Sequence, residues 1–169
     1  MKRGGIINTK LSFAIATMGH DDLMIFTDAG LPFKHDERTI DLALSPNIPD
    51  MVTVLSAIRQ ELWVEKFAFI AEGQNPNLVE SVSRIFPDAE RDFKPNDWFH
   101  QAVDHEAKWV IRTGAWTPWG NVAIWSGIPV DEWMRSTGAE PPKEWDERLR
   151  LNREFGQEGV EHRIPGLDN

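Results

Sequence analysis

Gly19-His20-Asp21-Asp22-Leu23-Met24-Ile25-Phe26-Thr27-Asp28-Ala29-Gly30 is the stretch on which the fold turns. Residues 23–26 are a short apolar run, the pattern of a strand covered on both faces. Ahead of it, Leu11, Ile15 and Met18 recur at i, i+4 and i+7, an amphipathic helix. Asn8 or Thr9 can cap that helix, and Gly19 can close it through a positive φ. Asp28 falls just past the apolar run, where loops over strand ends hold functional groups. His20 and Asp28 thus bracket one strand and are placed to converge on a pocket. The same two residues also suit plainer roles: His20 can complement the helix C-terminal dipole, and Asp28 can cap a turn.

Outward from this stretch the chain alternates helix and strand signals. Residues 40–44 alternate as a strand does. Asp50 can cap a helix running through Leu62, with Val54, Leu55, Ile58 and Leu62 on one face. Residues 64–71 read as another buried strand, and Asn75-Pro76 opens a helix striped by Leu78, Val82 and Ile85, which Pro87 ends. A further helix runs from Pro95 to about Ala107; strands at 109–111 and 122–125 enclose a tight loop at 114–120. This order predicts an α/β fold with helices on both faces of a mostly parallel or mixed sheet.

Beyond Val130 the texture changes to dense charge, Pro141-Pro142 and few aliphatics. Residues 144–155 predict one solvated helix with Trp145, Leu149 and Phe155 as a thin apolar edge. Residues 1–130 are therefore read as a single domain. Residues 131–169 are read as a charged extension packing on the core or on a neighbouring subunit.

Composition removes several function classes. A net charge of −9 argues against nucleic acid or an anionic membrane as partner. With no cysteine there is neither a disulfide framework nor a thiolate metal site. No run approaches the roughly 18 apolar residues of a membrane span, and no apolar h-region follows Lys2-Arg3, so a cytoplasmic location is expected. GxGxxG, P-loop, HExxH and GxSxG patterns are absent. The five histidines include no HxH or HxxxH pair, so no metal is expected. Eight tryptophans stand beside no tyrosine.

A second informative stretch is Arg112-Thr113-Gly114-Ala115-Trp116-Thr117-Pro118-Trp119-Gly120-Asn121. Flat indole faces plus a carboxamide that both donates and accepts suit a sugar, whose C–H faces stack while its hydroxyls need paired donors and acceptors. Core aromatics and a turn asparagine would also account for these residues.

Taken together, these stretches resemble the D-ribose pyranase and L-fucose mutarotase family. The matches run in order: Met1-Lys2 … Gly4, Met18-Gly19-His20, Asp28-Ala29-Gly30-Leu31-Pro32, Ile40-Asp41-Leu42-Ala43-Leu44, Ile48-Pro49, Val54-Leu55 and Glu61-Leu62 … Val64-Glu65. They continue through Ile70-Ala71-Glu72, Asn75-Pro76, Val110-Ile111-Arg112-Thr113-Gly114 and Gly120-Asn121. The resemblance implies a three-layer α/β/α domain that assembles into pentameric rings or decamers. It implies interconversion of ring forms of a free monosaccharide without a cofactor. It makes His20 the general acid/base and Asp28 a substrate contact that also holds His20. The Trp119-Gly120-Asn121 triplet would line the sugar site.

Three positions depart from the family pattern. Trp119 stands where tyrosine is usual, and Ala115 where glutamate is usual. The histidine or arginine near the start of the penultimate helix is replaced by Asn96, or by Asp97 in a gapless register; His100, one helical turn after Asn96, can reach the same space. These changes point to a monosaccharide mutarotase or pyranase of altered specificity, with ribose a poor ligand. The alternative is a ring-shaped sugar or sugar-phosphate binder serving transport or regulation.

Overall fold

The apolar run becomes strand β1, Leu23–Thr27, buried along its whole length. Its side chains alternate between two cores: Met24 and Phe26 join one cluster, Leu23 and Ile25 the other. The computed structural model describes residues 5–156. Met1, Lys2 and Gly4 of the family resemblance and residues 157–169 of the extension lie outside that range.

Around β1 the sheet holds β2 (Thr39–Asp41), β3 (Val64–Ile70), β4 (Glu90–Lys94), β5 (Trp109–Arg112) and β6 (Val122–Ser126), in the order β2-β5-β1-β6-β3-β4. β1 pairs parallel with β5, β5 with β2, and β3 with β4; β6 is antiparallel to both β1 and β3. Every strand except β6 therefore points the same way. Helices α1 (Thr9–Ala16), α2 (Met51–Arg59) and α3 (Pro76–Ile85) bury Leu11, Ile15, Leu55, Ile58 and Val82 against one face of the sheet. Helix α4 (Asn96–His105) buries Phe99, Ala102 and Val103 against the other. This is the expected three-layer α/β/α arrangement. The caps are as read: the side chains of Asn8, Asp50 and Asn75 accept backbone N–H groups of the first turns of α1, α2 and α3.

Several local readings are corrected. α1 ends at Ala16, and Thr17 closes it in right-handed helical conformation, donating its N–H to Phe13 and Ala14 carbonyls. The positive φ falls on Asp21 (64°), not on Gly19. Gly19 instead donates its N–H to the Asp22 carboxylate at 2.6 Å, so a side chain closes the turn. β2 stops at Asp41, whose side chain accepts the Ala43 N–H at 2.9 Å and ends the ladder. β4, not anticipated, is an edge strand of charged residues.

The extension opens with α5 (Val130–Thr137), also unanticipated. A 3₁₀ turn at Lys143–Trp145 then leads into α6 (Asp146–Phe155). Within the chain, α6 lies on the core. Leu149 is buried, Arg59 donates to the carbonyls of Phe155 (3.0 Å) and Gly156 (3.3 Å), and Arg148 pairs with Glu65. Among the described residues no helix is long and apolar enough to cross a membrane.

Candidate functional site

Because β1, β3, β4 and β5 run together, their carboxyl ends share one edge with the start of β6, the usual place for a ligand in such sheets. A cleft of about 540 Å³ opens there, lined by Asp28, Asn96, His100, Trp116, Trp119 and Asn121 among others. Asp28 is almost buried, and its placement is local chemistry: Oδ1 accepts the N–H groups of Gly30 and Leu31, both at 2.8 Å, which folds the Asp-Ala-Gly-Leu segment back on itself. Oδ2 accepts the Gly120 N–H at 3.3 Å. Asn121, buried at the start of β6, accepts the Asp28 N–H on Oδ1 at 2.9 Å. Asp28, Gly120 and Asn121 are thus one interlocked unit drawn from two distant parts of the chain.

Trp119 holds φ 60°, an unusual value for a bulky residue. Its half-exposed indole lies over Gly73, where any Cβ would collide with the ring. Asn96 and His100, one turn apart on α4, both line the cleft, whereas Asp97 is not among its lining residues. Ala115 is buried in the cleft wall and brings no charge to it. Arg112 is not among the cleft-lining residues and donates to Asp41 Oδ2 at 3.0 Å and to the Ala29 carbonyl at 3.1 Å.

His20 is not in this cleft. It precedes β1 and Asp28 follows it, so a five-residue strand lies between them; at roughly 3.3 Å rise per residue the strand alone keeps them over about 13 Å apart. Within one chain the two residues do not converge, and Asp28 does not hold His20. The His20 ring lies at the opposite edge of the sheet, beside the start of β3, with Nε2 2.9 Å from Glu65 Oε2. The turn that carries it is pinned on several sides. Asp21 N–H bonds the Ser126 carbonyl at 2.9 Å, and Asp22 Oδ2 takes Lys108 Nζ at 2.5 Å. Burial pushes the Asp22 carboxyl up, but the bonds from Lys108 and the Gly19 N–H outweigh it and leave the group below its ordinary value.

Three residues of the His20 surroundings are not linked to it by sequence reading. Glu65 stands in the Val64-Glu65 match but reads there as any polar strand residue. Arg148 and Trp145 belong to the extension: Arg148 pairs with the same Glu65 oxygen, its guanidinium sits 5.1 Å from the Trp145 ring centroid, and Trp145 meets His20 edge-on at 6.3 Å. His20, Asp21 and Glu65 are close enough to offer three ligand atoms to one cation. The Arg148 guanidinium on Glu65 already supplies that positive charge, so the trio reads as an ion-pair cluster.

Comparison with known proteins places the fold in a family. Residues 1–129 match the model of the RbsD / FucU transport protein family. D-ribose pyranase 1 of Streptomyces griseus is 38% identical over 88% of this chain and 100% of its own length. D-ribose pyranase 2 of Rubrobacter xylanophilus is 37% identical over 88% of this chain and 97% of its own. Both matches are longer than the family match, so part of each lies beyond residue 129. The structure of Bacillus subtilis RbsD complexed with D-ribose superposes with a TM-score of 0.69 at 32% identity, covering 76% of this chain and 98% of that one. The fucose mutarotase of Streptococcus pneumoniae, solved with L-fucose, shares the fold at a TM-score of 0.61 and 15% identity over 76% of this chain and 99% of its own. The chain whose Asp28, Gly120 and Asn121 interlock at the carboxyl edge of this sheet belongs to the RbsD / FucU family.

Proposed function

We propose that this protein is an isomerase that interconverts ring forms or anomers of a free monosaccharide, with His20 as the general acid/base. The sugar sits in the cleft, contacted by Asp28, Asn96, His100, Trp119, Gly120 and Asn121. The observation that carries this reading is the convergence of Asp28, Asn121 and an indole face on one cleft, in a chain 32% identical to a protein solved with D-ribose. Ring opening needs a proton delivered to the ring oxygen as the anomeric hydroxyl loses its own. Reclosure through another hydroxyl or face gives the new form. An imidazole, which can both donate and accept a proton, suits both transfers, and such general acid/base catalysis is typically worth about 10²–10⁴-fold. Because His20 and Asp28 occupy opposite edges of one subunit's sheet, the reading requires His20 of one subunit to complete the cleft of a neighbour. The working form is therefore a homo-oligomer, a pentameric ring or a decamer of two, acting in the cytoplasm.

The separation of His20 from the cleft also favours a second reading: a sugar binder in transport or regulation, which would need the cleft alone. Saturation-transfer NMR on a panel of aldoses separates the two, since it reports binding and anomer exchange together. Accelerated exchange that disappears in His20→Ala supports the isomerase; binding without accelerated exchange replaces it with the binder. Mixing inactive His20→Ala with inactive Asp28→Asn tests the shared site. Activity recovered on subunit exchange is expected, and two variants that stay inactive in a mixed oligomer would sink the inter-subunit arrangement.

A further inference from the structure

We infer that Glu65 is the positioning residue for His20, and that the C-terminal extension, through Arg148 and Trp145, holds Glu65 and the imidazole in place. Residues beyond 130 are then part of the catalytic apparatus rather than a solvated appendage. The inference rests on the reading of His20 as proton carrier and adds what orients it.

The geometry is compact. His20 Nε2 meets Glu65 Oε2 at 2.9 Å, with the Glu65 side chain 15% exposed and the His20 side chain 34% exposed. Glu65 sits near the start of β3, at the irregularity between Val64 and Lys66 in the pairing with β6, and Gly127, just past β6, leaves it room: a Cβ there would stand 3.1 Å from Glu65 Cβ and 3.2 Å from Oε2. A carboxylate only accepts, so Nε2 must carry the proton and the neutral ring is held as the Nε2–H tautomer. Nδ1 is then the atom left to take and return a substrate proton. When the ring is protonated, the same carboxylate lies against its positive charge. The other charged groups facing His20 are Asp21, with Oδ1 at 3.9 Å from Nε2, and Arg148 across Glu65.

Arg148 and Trp145 complete the arrangement from α6 and the turn before it. Arg148 pairs with the Glu65 carboxylate, and Trp145 meets the imidazole in an edge-to-face contact. Three contacts anchor this segment. Leu149 is buried, Arg59 holds the carbonyls of Phe155 and Gly156, and Arg153 donates to Asp131 on α5 at 2.6 Å. A segment that merely covered the surface would not place a cation on the one carboxylate that holds the proposed catalytic histidine.

The test uses the full-length oligomer and two independent readouts. In anomer exchange, Glu65→Ala should lower the rate at saturating sugar about ten- to a hundred-fold, the range of a lost hydrogen bond to a charged group, with the half-saturating concentration little changed. Glu65→Gln keeps an acceptor and should lose less. Arg148→Ala should lose several-fold, with Arg148→Lys recovering part. Adding Glu65→Ala to His20→Ala should cost nothing further, because a positioning residue acts only through the residue it positions. In the resting protein labelled with ¹⁵N-histidine, the His20 ring nitrogens should shift towards the tautomer average in Glu65→Ala and, to a lesser degree, in Arg148→Ala. Unchanged ring nitrogens, or an additive double variant, would overturn the inference. If His20→Ala exchanges sugar at the wild-type rate, the proton-carrier reading fails instead, and the nitrogen shifts still decide whether Glu65 orients the ring.

Discussion

Asn121 accepts the backbone N–H of Asp28 on its side-chain oxygen at 2.9 Å, joining the end of β1 to the start of β6 across 93 residues of sequence. Both residues are almost fully buried. The bond does two things at once: it satisfies a buried donor, and it fixes the direction from which the Asp28 carboxylate leaves the strand.

Asn121→Ala strands that donor. The expected cost is about 1–3 kcal/mol of stability, because an unmet buried N–H loses its full solvation. Sugar affinity should fall as well, since Asp28 is no longer held. Urea unfolding and sugar titration check both; an unchanged midpoint would mean that water replaces the carboxamide without loss.

How much of this is legible in the sequence depends on whether a residue's partner is near it in the chain. β1 is legible because its burial on both faces leaves an unbroken apolar run. The caps at Asn8, Asp50 and Asn75 are legible because each acts within its own first turn. β4 is not, because Glu90-Arg91-Asp92-Phe93-Lys94 is an edge strand held by charge pairs such as Asp92–Lys66 at 3.2 Å, which leave no apolar signature. The cleft side of the site is legible through Asp28 and Asn121. The orientation of His20 is not: the rise along an extended strand puts residues at the two ends of β1 at two edges of the sheet, but the histidine's neighbours, Glu65 and Arg148, come from a strand and a helix far along the chain. Nothing in a carboxylate on β3 distinguishes it from a solvent-facing one until α6 is in place.

Arg59 and Asp88 form the most deeply buried of the described ion pairs, with side chains 3% and 2% exposed and Nη1–Oδ1 at 2.7 Å. Breaking such a pair from one side leaves a charge in a poorly solvated place, at a cost of about 3–5 kcal/mol. Asp88→Asn should therefore lower the urea midpoint sharply and loosen α6, whose last carbonyls Arg59 also binds. Glu80→Gln, which breaks the exposed pair with Arg84, should cost about 0–1 kcal/mol. Equal effects of the two substitutions would contradict the burial argument.

Asp92 gives the edge strand a pH dependence. The Lys94 ammonium, bonded to it at 2.8 Å, together with the Phe93 N–H and Lys66, holds its carboxyl down from 3.8 to about 2. A depressed carboxyl stabilises the fold above its unfolded value, and that contribution is lost as pH falls from about 4 through about 2. Asp92→Asn should be less stable than wild type at pH 7, and the gap should narrow as pH falls from about 4 towards 2. Urea midpoints at pH 7, 4 and 2.5 test this; a gap that stays constant with pH would rule out Asp92 as its source.

Gly73 and Trp119 should behave as a coupled pair. Gly73 holds φ 62°, so alanine there is strained wherever the indole lies, and the added Cβ also collides with the ring. The strain persists when Trp119 is replaced, but the collision does not. In a double-mutant cycle on sugar affinity, Gly73→Ala should cost clearly more beside Trp119 than beside Trp119→Ala. Additive effects would show that the ring does not depend on the glycine.

Trp119 itself should set which sugar the cleft prefers. Its indole N–H only donates, whereas a tyrosine hydroxyl at this position would donate to one sugar oxygen and accept from another. A sugar whose hydroxyl needs an acceptor there is left with that group unpaired, at a cost of about 1–3 kcal/mol, or roughly ten- to a hundred-fold in affinity. A sugar lacking or inverting that hydroxyl escapes the penalty. Ribose is therefore expected to be a weaker substrate than at least one other aldose, and Trp119→Tyr should move preference towards ribose or fucose. Exchange rates for ribose, fucose and several other aldoses, measured with wild type and Trp119→Tyr, decide the matter. If wild type already turns over ribose fastest and Trp119→Tyr leaves the order unchanged, the indole is a neutral replacement and specificity is set elsewhere, with Asn96 and His100 on the facing helix the next residues to exchange.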